Sequence, residues 1–76
     1  MSTQKELDAR GLTCPEPVML LHREMAELNI GDCLVVYATD VTTQRDIPQF
    51  CRFLGHELLS QQEEGQEFVY VLKKGG

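Results

Sequence analysis

The first half of the chain carries three hydrophobic patterns, which predict a strand, a helix and a second strand. Residues 5–9 place Leu7 and Ala9 on one side and charged residues on the other, as a half-buried strand does. Residues 15–29 have apolar side chains at helical spacing (Val18, Leu21, Met25 and Leu28) and end at the stop signal Asn29-Ile30-Gly31. Cys33–Ala38 is a continuous apolar run that is too short for a helix, so it is predicted to be a buried central strand.

The next segment predicts a second helix. Thr43 and Asp46 have the spacing of a capping box, and an apolar stripe follows them up to Gly55. The stripe consists of Ile47, Phe50, Cys51 and Leu54. Because a proline inside a helix costs about 3 kcal/mol, Pro48 indicates that the regular part of this helix starts only near Asp46.

The last third of the chain completes the predicted fold. Residues 56–62 and 67–73 flank a turn signal at Glu64-Gly65, which is typical of an antiparallel hairpin. The element order is then strand, helix, strand, helix, strand, strand. This order predicts an α/β (α+β) two-layer sandwich with both helices on one face of a mixed four-stranded sheet. We expect residues 1–76 to form one domain, whose other sheet face is open to solvent or covered by a partner.

Charge and cysteine usage narrow the classes of function. Seven basic and 12 acidic residues give a net charge of −5, the opposite of what phosphate neutralisation requires, so we expect no direct binding to nucleic acid. No apolar run is long enough to cross a membrane, and we expect no membrane contact. Three widely spaced cysteines form neither a disulfide framework nor a zinc site. These features favour a reducing, cytoplasmic location, without a metal or cofactor.

The most informative stretch runs from Gly11 to Pro17 and places Cys14 between a strand and a helix that opens with two prolines. If Cys14 is the N-cap, the helix dipole lowers its thiol pKa from about 8.5 and favours the nucleophilic thiolate. The Glu16 carboxylate opposes this effect, and Arg10 is a candidate to offset Glu16. Pro17 also restrains Glu16, which shifts the regular helix a residue or two later. The alternative is that Cys14 is a small buried residue, as free cysteines often are.

The other cysteines and the histidines fit structural roles better. Cys51 falls within the apolar stripe of the second helix, and Cys33 opens the central strand, so both are predicted to be core residues. His22 lies eight residues beyond Cys14, about 12 Å along the same helix, too far to activate its thiol. His22 is predicted at the surface, and His56 in a structural or solvent-facing position.

Three further residues lie near these motifs. Asp40 and Asp46 are predicted to cap the second helix. Met19 is off the apolar stripe of the first helix and close to Cys14. An exposed methionine at that position indicates a contact surface, and a packing role is an equal alternative.

Several segments together resemble the TusA sulfur-carrier family, also called the SirA-like family. They are the run from Leu7 to Met19 with its C-P-x-P motif, Asp46-Ile-Pro-Gln-Phe-Cys51, His56-Glu-Leu58 and the final Lys74-Gly-Gly76. The resemblance covers nearly the whole chain. Val41 departs from it, since close members often have proline after the aspartate.

The resemblance implies a cytosolic sulfurtransferase that carries sulfur as a persulfide. A cysteine desulfurase is expected to load the sulfur onto Cys14, and a downstream relay protein to take it towards 2-thiolation of the tRNA wobble uridine. Relatives feed sulfur oxidation or molybdenum-cofactor pathways instead. Such a transfer needs no metal, cofactor or general base. Contacts with the partner proteins are expected from Pro15, Glu16, Pro17, Met19 and Asp40.

Two other functions compete with this one. The C-terminal glycine pair is also compatible with a thiocarboxylate carrier of the ubiquitin-like kind, but those proteins open with a hairpin and this chain does not. Gly75-Gly76 is therefore predicted to be a mobile tail. The third hypothesis is a regulator or redox sensor in which Cys14 is oxidised, and only the fold could then bring Cys33 or Cys51 close enough to resolve it.

Overall fold

The computed structural model describes residues 4–75, so predictions for Gly76 lie outside it. The elements are β1 (Gln4–Ala9), α1 (Glu16–Ala26), β2 (Cys33–Ala38), α2 (Thr43–Leu54), β3 (Glu57–Glu64) and β4 (Glu67–Lys73). The strands form one sheet in the order β1-β2-β4-β3. β1 and β2 are parallel and the other pairs are antiparallel, which confirms the predicted mixed sheet.

Both helices cover one face of the sheet, and their apolar stripes meet its inward-facing residues. The largest fully buried side chains include Leu21 of α1, Ile47 of α2 and Tyr70 of β4. Alternate residues of β4 are buried (Phe68, Tyr70 and Leu72), while those between them are half-buried. This alternation is the period of two that a strand with one covered face requires. Neither described helix is both long and apolar enough to cross a membrane.

The first helix ends earlier than predicted, at Ala26 rather than residue 29. A turn competes with the last helical turn, because the Asp32 carboxylate accepts a hydrogen bond from the Asn29 amide at 2.9 Å. The Asp32 amide in turn donates to the Asn29 carbonyl. Leu28 is buried although it follows the end of the helix, so its apolar side chain indicated a core position and not a further helical turn.

The second helix starts earlier than Pro48 predicted, at Thr43 rather than near Asp46. In a helix the Gln44 carbonyl would accept a hydrogen bond from residue 48, which proline cannot donate. The Gln61 side chain of β3 lies 3.4 Å from that carbonyl and donates to it instead. The predicted capping box is absent, since the N-cap is Thr42 and makes no side-chain cap.

The hairpin is confirmed, with β3 displaced towards the turn. β3 covers Glu57–Glu64 rather than residues 56–62, and pairing continues to Glu64 opposite Glu67. Only Gly65 and Gln66 form the loop. Gly65 has a φ of +65°, a left-handed conformation that glycine adopts without strain, so the chain reverses within two residues.

Candidate functional site

Cys14 lies at the sheet edge where the parallel strands β1 and β2 both end. Ala9 pairs with Ala38, so the loops that follow these two residues are neighbours. The Gly11 amide, at a φ of +82°, donates a 2.9 Å hydrogen bond to Thr39 Oγ1 across the two loops. The Cys14 side chain is exposed at this edge. The alternative that Cys14 is a buried core residue is therefore wrong.

The prediction that Cys14 is the N-cap of the first helix is also wrong. Pro15 is the N-cap, Glu16 begins the helix, and no side chain caps it. The first helical N–H to find a backbone acceptor in the helix is that of Met19, which donates to the Pro15 carbonyl. Since Pro15 and Pro17 lack N–H groups, the helix offers few donors near its start.

Two carboxylates next to α2 hold Cys14 instead. The Cys14 amide donates to Asp40 Oδ2 at 2.8 Å, and its thiol donates to Asp46 Oδ2 at 3.4 Å. The other Asp40 oxygen accepts from the Thr42 amide and hydroxyl, both at 2.9 Å. Asp40 was predicted to cap α2 and instead binds Thr42, the residue at the N-cap position. The hydrogen bonds from Thr42 and Cys14 lower the pKa of Asp40. Asp46 does not cap the helix, because its side chain faces the thiol and the Arg45 guanidinium.

The electrostatic effect on the Cys14 thiol is the reverse of the predicted one. The hydrogen bond to Asp46 stabilises the neutral thiol and raises its pKa, and partial desolvation and the charges of Asp46 and Asp40 act in the same direction. The positive charge of Arg45 acts in the opposite direction and lowers the pKa of the thiol, but it does not outweigh the other effects. Arg10 does not take part, since it pairs with Asp8 at 2.8 Å and lies over the Tyr37 ring.

A groove of about 310 Å³ opens beside Cys14 between α1 and α2. Its lining is mostly apolar and consists of Cys14, Pro15, Val18, His22, Asp46, Gln49, Phe50, Phe53 and Leu54. Phe53 is 82% exposed and Leu54 is 45% exposed. Leu54 belongs to the predicted apolar stripe of α2 and lies at the rim. Phe53, Leu54 and the apolar lining together form a contiguous exposed apolar patch, which is characteristic of a contact surface.

The five residues predicted to contact partners differ in their exposure. Glu16 and Met19 are exposed, and Pro15 lines the groove. Pro17 is fully buried, so it supports the helix start rather than a partner. Asp40 lies beneath Cys14 and binds its amide.

Sequence reasoning missed the contact of Asp46 with the thiol and the groove residues of α2. Phe53 carried a usable signal, since it is an aromatic residue off the apolar stripe of its helix. The contact of Asp46 had no such signal, because it depends on how α2 packs beside the Cys14 loop. Among the residues that the structure describes, no three His, Cys, Asp or Glu side chains are grouped to hold a metal ion.

The two histidines flank Phe50, which lines the groove. His22 is exposed, as predicted, and meets the Phe50 ring edge-on at 4.7 Å between centroids. His56 stacks on the same ring at 5.5 Å, and burial lowers its pKa, with Lys74 and His22 adding to the effect. The His56 Nδ1 atom accepts a hydrogen bond from the Gly75 amide at 3.1 Å.

The predicted mobility of the C-terminal glycines is wrong for Gly75. Lys74 is fixed by three hydrogen bonds. Its amide donates to the Asp32 carbonyl, its carbonyl accepts from the Gly31 amide, and its Nζ donates to the Leu28 carbonyl. Gly75 follows with the bond to His56 described above. The chain up to Gly75 is therefore bound to the body of the fold.

Cys33 and Cys51 lie in positions unsuited to resolving an oxidised Cys14. Cys33 begins β2, whereas Cys14 lies beyond its other end at Ala38, and a strand of this length spans roughly 17 Å. Cys51 is buried in the core, where desolvation raises its pKa to about 11, and it does not line the groove. The structure thus favours the inert role predicted for Cys51.

Comparisons with known proteins identify the family of this chain. The family model described as sulfurtransferase TusA matches residues 5–74. A sulfur carrier protein TusA of Pseudomonas entomophila (strain L48) is 60% identical over 68 residues, which are 90% of this chain and 85% of that protein. A sulfur carrier protein TusA of Pseudomonas aeruginosa (strain LESB58) is 57% identical, over 90% of this chain and 86% of that protein.

A solved structure supports the fold independently. The SirA-like protein from Desulfitobacterium hafniense superposes with a TM-score of 0.82, covering 95% of this chain and 99% of that one. At 19% identity this likeness concerns the fold alone. With a family model spanning residues 5–74 and close relatives over 90% of its length, the chain belongs to the TusA family of sulfur carrier proteins.

Proposed function

We propose that this protein is a cytoplasmic persulfide carrier whose sulfur is held on Cys14. A cysteine desulfurase donates the sulfur, and a downstream relay protein removes it for 2-thiolation of the tRNA wobble uridine. The observation that carries the proposal is an exposed thiol at the mouth of an apolar groove, in a chain of a sulfur-carrier family. Carriers need such a thiol, because two different proteins must reach the same sulfur atom.

The loading step needs no cofactor or external redox agent. The Cys14 thiol first releases its proton to solvent, and the thiolate attacks the outer sulfur of a protonated donor persulfide. A bond forms between Cys14 Sγ and that sulfur, while the donor's sulfur–sulfur bond breaks and its electron pair leaves with the donor thiolate. Cys14 is oxidised to the persulfide and the donor is reduced to the thiolate level. Delivery repeats the step with Cys14 as the leaving group.

The groove beside Cys14 is the surface on which we place both partners. Pro15 lines its α1 side and Phe53 its α2 side, and Glu16 and Met19 are exposed on α1 outside the lining. Asp40 accepts a hydrogen bond from the Cys14 amide, which fixes the backbone that carries the thiol beside the groove. A net charge of −5 favours basic partner surfaces, which would steer association in a salt-dependent way.

Sulfur loading followed by peptide mapping tests the proposal. The protein is incubated with a cysteine desulfurase and cysteine, digested and analysed by mass spectrometry. We expect one additional sulfur atom on the peptide that contains Cys14, none in Cys14→Ser, and normal loading in Cys33→Ser. Sulfur at Gly76, or normal loading of Cys14→Ser, would overturn the proposal and favour a thiocarboxylate carrier.

The acceptor requires a separate measurement. Loaded protein is mixed with a relay protein, and sulfur on each is followed with time. In cells that lack this protein, 2-thiouridine in tRNA should fall and return with the wild-type chain but not with Cys14→Ser. Unchanged 2-thiouridine would remove tRNA thiolation from the proposal and leave the carrier step intact.

A further inference from the structure

Asp46 makes a contact with Cys14 that the transfer reaction itself does not require. Its Oδ2 atom lies 3.4 Å from the thiol sulfur, within hydrogen-bond range for sulfur. The side chain is only 17% exposed, so water screens its charge weakly. Its other oxygen faces Arg45 Nε at 3.3 Å, but the Arg45 side chain is 70% exposed. The carboxylate therefore directs a poorly screened negative charge at the sulfur.

We propose that Asp46 is a positioning residue that keeps Cys14 as the neutral thiol in the free carrier, and that a cationic side chain of a docked partner relieves this restraint. The proposal rests on the function proposed above. Asp46 points the thiol across the mouth of the groove, where a partner side chain placed over Asp46 would also lie beside the sulfur. Its effect would thus last only while the carrier is undocked.

The two carboxylates that face the thiol act in the same direction. Asp46 of α2 and Asp40 of the preceding loop are both negative and both disfavour the thiolate. Arg45 of α2 is the cation that opposes them, and its exposure weakens its influence. His22 is the titratable group that α1 contributes to the groove lining. The effect is consistent with the raised pKa of the Cys14 thiol.

Keeping the thiol neutral slows both halves of the transfer outside a complex. Loading slows because only the thiolate attacks a persulfide, and delivery slows because a thiol of high pKa is a poor leaving group. Both steps would recover when a partner's positive charge offsets Asp46. The free carrier would then lose little sulfur to small thiols and take up little from small persulfides.

The pH dependence of alkylation tests the role of Asp46 without any sulfur donor. Cys14 is alkylated with iodoacetamide between pH 6 and 11 in the wild-type protein and in Asp46→Asn, Asp46→Glu and Glu63→Gln. Glu63 lies on β3 and is exposed, so its variant removes one charge without touching the site. We expect a lower apparent pKa in Asp46→Asn, a value near wild type in Asp46→Glu and no change in Glu63→Gln.

The size of the effect on rate follows from two opposing trends. Each unit by which the pKa falls raises the thiolate fraction about ten-fold at neutral pH and lowers its intrinsic nucleophilicity about three-fold. Asp46→Asn should therefore react about three-fold faster per unit at pH 7 and more slowly at pH 11. An unchanged or higher apparent pKa in Asp46→Asn would overturn the proposal.

A measurement on the wild-type protein keeps the proposal testable if the variants do not fold. Cys14 in the native protein should react more slowly at pH 7 than the cysteine of a peptide covering residues 10–18. Faster reaction in the native protein would contradict it.

The role of the partner requires a comparison of two donors. Sulfur uptake from glutathione persulfide should accelerate in Asp46→Asn, whereas uptake from the desulfurase should change less. Equal acceleration with both donors would refute relief by the partner. These results are distinguishable from failure of the carrier function, which would appear as absence of loading on Cys14 in the wild-type protein.

Discussion

The buried hydrogen bond between Tyr70 and Thr43 attaches the start of α2 to the sheet, and its direction can be deduced. The two side chains are 0% and 1% exposed. Thr43 Oγ1 lies 2.7 Å from the Asp40 carbonyl oxygen and 2.8 Å from the Tyr70 hydroxyl. Because a carbonyl oxygen only accepts, the single hydroxyl proton of Thr43 goes to Asp40. Tyr70 is therefore the donor to Thr43.

This direction predicts unequal costs for two variants that break the same hydrogen bond. Tyr70→Phe removes the donor and strands no other donor, so the free energy of unfolding should fall by about 1 kcal/mol. Thr43→Val removes two hydrogen bonds and leaves the Tyr70 hydroxyl buried without an acceptor, so the fall should be about 3 kcal/mol. In Thr43→Val with Tyr70→Phe that penalty disappears, and the double variant should lose only about 2 kcal/mol.

Urea denaturation followed by circular dichroism measures all three values. The slope of the unfolding free energy against urea should stay the same in each variant, which shows that stability alone has changed. The sum of the two single losses should then exceed the loss in the double variant by about 2 kcal/mol. The assigned direction would be refuted if the sum of the two single losses equalled the loss in the double variant to within about 0.5 kcal/mol. A larger loss in Tyr70→Phe than in Thr43→Val would refute it as well.

Three further predictions concern the core and the C-terminal segment. Cys51→Ala should lower stability by about 1 kcal/mol through lost packing and retain sulfur loading on Cys14; loss of loading in a folded variant would contradict the structural role of Cys51. Burial lowers the pKa of His56 from its ordinary value of 6.5, so the unfolded chain binds more protons than the folded one and stability falls as the pH drops through 6.5. His56→Gln should therefore reduce the loss of stability between pH 7 and pH 5. An unaltered dependence of stability on pH would contradict this role of His56. Gly75→Ala should free the C-terminal segment, since a Cβ there meets the Gly55 carbonyl, and amide exchange at residue 75 should become fast; retained protection would show that the backbone adapts.

Local sequence signals were enough to predict two of the strands and the hairpin turn. The apolar run Cys33–Ala38 and the alternation in Glu67–Lys73 predicted both strands with their observed bounds. The glycine at position 65 predicted the hairpin turn, because a tight reversal needs a residue that tolerates positive φ. Cys14 was singled out in the same way, from its place between a strand and a helix with two prolines.

The start of α2 and the position of the C-terminal segment depended on partners far away in the chain. α2 passes through Pro48 because Gln61 of β3 donates to the Gln44 carbonyl. The segment up to Gly75 is held because His56 and Asp32 offer acceptors to it. No periodicity in the sequence reports such contacts, since they join residues that are 17 or more positions apart.

The electrostatics of the site were decided by tertiary structure alone. From the sequence, the nearest influences on Cys14 were its own helix, Glu16 and Arg10, and they predicted an activated thiolate. In the fold, the parallel ends of β1 and β2 bring the Cys14 loop against the start of α2, where Asp40 and Asp46 face it. The sequence singled out Cys14 as the candidate for the sulfur chemistry. The sign of its pKa shift depends on distances across the fold, because the interaction of charges weakens with separation in space and not along the chain.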